Sequence, residues 1–62
     1  MLILTKEHNE SWLDAALRRA KPHGLENDVI ESYHKHMGKK FSPMSSAYYA
    51  CEDWDLLDFV EE

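Results

Sequence analysis

Histidines, a single cysteine and a closing run of carboxylates are the residues of this 62-residue chain that could do chemistry. His34 and His36 lie two apart in Tyr33-His34-Lys35-His36. On a helix that spacing puts them about 200° apart. Two histidines that share a metal ion on a helix stand at i and i+4. They are read as ordinary helix residues, with His36 at the border of an apolar stripe and His34 in water, and no metal is expected. Cys51 would act as a nucleophile if the fold brought His8, His23 or His36 beside it. Its position puts it on an inner face with Ala47 and Trp54, where a buried thiol is inert. No glycine-rich loop is present to build an oxyanion hole.

The carboxylates are Glu52, Asp53, Asp55, Asp58, Glu61 and Glu62. Paired acids do general acid and base work only inside a pocket, and a chain this short rarely encloses about 300 Å³ or more. Asp53-x-Asp55 begins like a calcium loop, but the glycine required at the sixth position is Asp58. The expectation is therefore a non-catalytic protein with no cofactor.

What distinguishes the run is its company. All seven Lys and Arg residues lie at or before Lys40, and none follows. Trp54, Leu56, Leu57, Phe59 and Val60 are interleaved with the acids. A segment both acidic and apolar suits a docking surface, in which apolar anchors enter a groove and carboxylates steer toward a basic rim. The docking residues expected are Glu52, Asp53, Asp55, Asp58 and Glu61 for charge, with Trp54, Leu56 and Phe59 as anchors. The partner expected is another protein with a basic surface. Size and acidity are those of small bacteriophage and mobile-element regulators, a likeness of style with no motif behind it.

Three helical stretches must position these residues. In the first, about 9–21, Trp12, Leu13, Ala16, Leu17 and Ala20 gather on one face. Either Thr5 or Asn9 could cap its start. Asp14 and Arg18 are spaced as an i,i+4 ion pair. Pro22-His23-Gly24 ends it. In the second, about 25–37, Leu25, Val29, Ile30, Tyr33 and Met37 form a stripe, and Gly38 is the expected left-handed stop. The third, 43–60, opens on Ser42-Pro43, a good cap followed by proline at the first helical position. Ala47, Ala50, Cys51, Trp54 and Leu57 share its face, whereas Leu56 and Val60 point almost opposite. Either this helix breaks near Asp53 or it touches two surfaces. Leu2-Ile3-Leu4 could be a brief extended arm. The fold class is all-α, one small three-helix domain.

Composition sets further bounds. Net charge is −5, which repels DNA and anionic membranes from most of the surface. A 44% apolar share is too high for a disordered chain. Met1-Leu2-Ile3-Leu4 is too short for a signal peptide or a membrane span. One cysteine allows no internal disulfide and fits a reducing, cytoplasmic setting. Such a chain buries only about 60% of its unfolded surface, and its large apolar residues outnumber the places three short helices can hide them. A homodimer is expected to cover the surplus. The alternative is a dimeric helix-turn-helix-like regulator that places Arg18, Arg19, Lys21, Lys35, Lys39 and Lys40 on DNA phosphates, although its third helix would be acidic.

Overall fold

A computed structural model describes residues 1–60 of the chain. It is a three-helix bundle with a small antiparallel ribbon. The helices are α1 (Trp12–Ala20), α2 (Glu26–Gly38) and α3 (Pro43–Asp53), with a 3₁₀ turn over Lys21–His23. Strands β1 (Leu2–Ile3) and β2 (Asp58–Phe59) pair with Leu2 opposite Phe59 and Ile3 opposite Asp58. Among the described residues, no helix is long and apolar enough to cross a membrane.

Local chemistry explains the starts of α1 and α3, whereas α2 begins after Leu25 with no side-chain cap. Ser11, not Thr5 or Asn9, caps α1, and its hydroxyl accepts from the Asp14 N–H at 3.1 Å. The residues before it are held in a separate turn. There the Glu10 carboxylate accepts from the Glu7 N–H at 2.8 Å and from Arg18 at 3.0 Å. Arg18 thus pairs with Glu10 rather than with Asp14, the partner that helical spacing suggested. Ser42 caps α3 as expected, accepting from the Ser45 N–H at 3.2 Å, with Pro43 at the first position.

All three helical runs end in one way. The last residue of each turn bends left-handed, and the residue after it sends its N–H back five positions. Gly24 (φ 68°) precedes Leu25, which donates to the Ala20 carbonyl at 3.1 Å. Lys40 (φ 68°) precedes Phe41, which donates to the His36 carbonyl at 3.4 Å. Asp55 (φ 56°) precedes Leu56, which donates to the Cys51 carbonyl at 2.8 Å. These are Schellman endings, and in each the residue after the left-handed one is apolar, as the motif favours. Gly38 is the last residue of α2, so the stop is Lys40 and not the glycine.

The third ending decides between the two readings of 43–60: α3 stops at Asp53, the expected break, and does not run on to residue 60. Asp55 turns the chain out of α3, and 58–59 become a strand on the amino-terminal arm. The phase shift at Leu56 marks this break. Trp54 stays outside at 40% exposure and Leu56 goes inside at 8%.

The core is made of small residues. Ala16, Ala20, Val29, Ala47, Ala50, Cys51 and Leu56 form its centre. Val29 is the largest side chain that is fully buried. Small faces let helix backbones approach closely but bury little apolar area per residue. Leu4, Trp12, Leu17, Leu25, Tyr33 and Leu57 pack around the centre, each partly exposed.

Arg19 fastens the arms to this bundle. Its guanidinium donates to the Thr5 carbonyl at 3.2 Å, the Thr5 hydroxyl, the Ala15 carbonyl at 3.2 Å and the Asp58 carboxylate. One side chain of α1 thereby holds the segment after β1 and the strand β2 at once.

Two outcomes follow from this construction. Lys40→Gly removes a left-handed cost and is expected to stabilise the fold by up to about 1 kcal/mol, raising the thermal midpoint by ~4–8 °C. Gly24→Ala should lower it by a similar amount, although a methyl there meets nothing within 4 Å. Thermal unfolding followed by circular dichroism reads both. Arg19→Lys keeps the charge but cannot bond all four acceptors. It should cost about 1–2 kcal/mol and raise amide exchange at Ile3 and Val60 before the helices are affected. Uniform acceleration across the chain would contradict the clasp.

Candidate functional site

The expected docking residues do not form one surface. The left-handed turn at Asp55 divides them into three sets. Trp54, Glu52, Asp53 and Asp55 stay at the end of α3, all exposed. Leu56 enters the core, so it is no anchor for a partner. Asp58 and Phe59 lie on the ribbon. Glu61 lies outside the described residues.

The first set is rigidly placed. The Trp54 indole N–H donates to the Ser32 hydroxyl of α2 at 3.2 Å, which fixes the ring while leaving it half in water. Asp53 accepts from His36 Nε2 at 3.1 Å. The His36 ring lies 5.8 Å from Phe41 and 5.5 Å from Tyr49 between ring centres, so this contact joins α2, α3 and the loop between them. His34 is exposed. Glu52 and Asp55 make no ion pair among the described residues. Trp54 is thus an exposed, hydrogen-bonded indole, with Glu52 two residues before it in the chain and Asp55 one after.

The ribbon set differs. The Asp58 carboxylate is engaged by Arg19. Phe59 stands 71% exposed, directly opposite Leu2. Met1 and Val60 exchange both backbone bonds, at 2.8 and 2.9 Å. Leu2 and Phe59 are therefore the close, non-hydrogen-bonded pair beside it, with both side chains on one face of the ribbon. That face borders an open groove of about 320 Å³ lined by Met1, Leu2, Ile3, Leu4, Trp12, Met44, Ser45, Tyr48 and Tyr49. A cleft of this size was not expected from so short a chain. Its α3 wall is made by Met44, Tyr48 and Tyr49, which lie off the Ala47-Ala50-Cys51 face that enters the core. None of the carboxylates lines it.

The basic residues are partly engaged within the chain. Arg18 meets Glu10, and Arg19 meets Asp58. Lys21, Lys35, Lys39 and Lys40 are exposed. Two of the six cations assigned to DNA phosphates thus carry internal ion pairs.

Cys51 lies in the core, where burial pushes its thiol up to about 11, with Asp58 acting in the same direction and Arg19 against it. It is protonated and shielded at neutral pH. Among the described residues, no group of three His, Cys, Asp or Glu could hold a metal ion.

Comparison with protein-family models, with curated proteins and with solved structures finds no match to this chain.

The raised thiol has a signed consequence. A folded state that holds its proton more tightly loses stability from the unfolded thiol's value of 9.0 up to about 11. Stability should fall over that window in wild type and stay flatter in Cys51→Ser, as read by urea midpoints at successive pH values. Alkylation at pH 8 should be slow in the native protein and fast in urea. Rapid native alkylation would contradict the burial of α3.

Proposed function

We propose that this chain is a small non-catalytic interaction module that captures a basic surface of another protein through Trp54, Glu52 and Asp55. The reading rests on one observation: an indole 40% exposed and held by Ser32, with Glu52 and Asp55 close to it in the chain and without an ion pair among the described residues. Wet aromatic surface is costly in a chain whose core is already thin, and a fixed ring loses little further freedom on binding. Net charge of −5 adds a long-range pull toward a cationic partner. The functional unit is a homodimer that works in the cytoplasm, where a single free thiol is at home. Regulation by occupying the cationic site of a larger protein suits such a module, in the style of bacteriophage regulators.

The ligand group that fits is arginine. A planar guanidinium stacks on an indole and forks onto a carboxylate, which an ammonium does less well.

The test uses a short arginine-rich peptide and a Trp12→Phe background, in which Trp54 is the sole indole. Titration should shift Trp54 emission and saturate. Glu52→Gln with Asp55→Asn should weaken binding by about tenfold, ~1.4 kcal/mol, mainly through slower association. Added salt should act in the same direction. Equal affinity in the amide variant, or indifference to salt, would sink the proposal.

A further inference from the structure

The groove between β1, α1 and α3 has a property that sets it apart from the rest of the surface. In a chain with 19 formally charged Asp, Glu, Lys and Arg side chains among its 62 residues, none of those side chains lines it. Its polar groups are the Ser45 and Tyr48 hydroxyls and that of Tyr49, and the Tyr48 hydroxyl donates to the Leu2 carbonyl at 3.4 Å. The one formal charge at its edge is the Met1 ammonium, which donates to the Val60 carbonyl, and no carboxylate is there to steer a cation. A basic partner drawn by the acids at the end of α3 finds no complement in this groove.

We propose that the groove seats a second copy of this chain, with Phe59 of each copy entering the groove of the other. Three observations carry this. First, projection and recess stand side by side on one molecule. Phe59 is the most exposed large apolar side chain and lies beside Leu2, which lines the groove. A projecting ring next to a recess of about 320 Å³ is self-complementary under a two-fold axis, because each copy offers what the other lacks. Second, the apolar patch is continuous. It runs from Phe59 across Leu2, Met1 and Met44 to Tyr49, whose ring centre is 5.5 Å from that of Phe41. Phe59, Leu2, Met1, Met44, Tyr49 and Phe41 are all exposed, and the pairing of two such faces would take their apolar surface out of water together. Third, the strand wall of the recess is tied in place by hydrogen bonds. Met1 is bound to Val60 by both backbone bonds, and Arg19 pins β2 through Asp58.

This inference locates the interface of the dimer in the reading above and rests on the dimeric part of it alone. The two contacts have opposite responses to salt. Copies of charge −5 repel, so salt should tighten the dimer, whereas it should loosen capture of a basic partner.

Sedimentation velocity from micromolar to millimolar protein tests it, on the full chain at low and high salt. Wild type should be a dimer that strengthens with salt. Phe59→Asp and Met44→Glu should each raise the dissociation constant by at least about tenfold, with helicity by circular dichroism unchanged because both residues are exposed. Glu52→Gln with Asp55→Asn should leave the dimer no weaker. A wild type that stays monomeric at millimolar concentration and high salt would overturn the proposal. So would a dimer that either Phe59→Asp or Met44→Glu leaves intact. In neither case would arginine-peptide binding at Trp54 be affected, so the two proposals fail separately.

Discussion

One guanidinium joins the parts of this chain that its helices leave apart. The three helices pack on each other through small residues, but nothing in that packing requires the first and last ten residues to meet. Arg19 supplies the reason. It sits on α1 with its side chain only 11% exposed, and its fork reaches Thr5 on one side and Asp58 on the other. An arginine half withdrawn from water must fill its donors, because each unmet one costs about 1–3 kcal/mol. The Nε remains without a partner, so the site is not fully satisfied. The bonds that are made set where both arms lie. The ribbon, the Phe59–Leu2 pair and the floor of the groove all follow from that placement.

The thin core explains why so much apolar surface remains outside. Helices that meet through Ala16, Ala20, Ala47, Ala50 and Cys51 are drawn close, and no aromatic side chain fits between them. Trp12 and Tyr33 pack at the edge, and Phe41, Tyr49, Trp54 and Phe59 lie beyond it. Some of these are fixed by polar contacts at the rim: Trp54 by Ser32, and Tyr49 and Phe41 around the His36–Asp53 pair. Small interior residues and ordered exterior aromatics are thus one feature seen from two sides. Close backbone approach excludes large groups, and the excluded groups become surface with defined shape.

Much of this was legible in the chain and some was not, for physical reasons. Ser42-Pro43 announced α3 because capping is local chemistry. Leu56 and Val60 falling out of phase announced the break. The identity of the stop residues was hidden, because glycine is the usual left-handed residue and Gly38 stood nearby. The position is set instead by the apolar residue that follows. Phe41 must reach His36, and Leu56 must reach Cys51, so Lys40 and Asp55 take the left-handed conformation. The same logic misassigned Leu56. Counted along a continuing helix it points away from the core, but after a left-handed turn it points in. The pairing of Leu2-Ile3 with Asp58-Phe59 joins opposite ends of the chain, and no local pattern encodes it. Nor does helical spacing reveal that Arg18 takes Glu10 over Asp14, since Glu10 is brought there by a turn outside the helix.

That turn of phase at Asp55 also decides how the acidic third of the chain can act. Had the helix run on to residue 60, acids and apolar residues would have been mixed around one rod, and any partner would have met both. The left-handed residue separates them. Glu52, Asp53, Trp54 and Asp55 stay with α2 and α3, in contact with Ser32 and His36. Asp58 loses its freedom to Arg19, and Phe59 is left on the ribbon beside a recess that no carboxylate lines. Charge and grease that were interleaved in sequence are sorted in space onto two surfaces with different physics. A surface that works by charge weakens with salt and selects for cations. A surface that works by apolar burial does not depend on opposite charge, and on an anionic chain salt favours its contacts with other anionic surfaces by screening repulsion. One backbone conformation at one residue therefore separates the exposed acids at the end of α3 from the apolar face of the ribbon, the two surfaces to which the proposals assign a basic partner and a second copy.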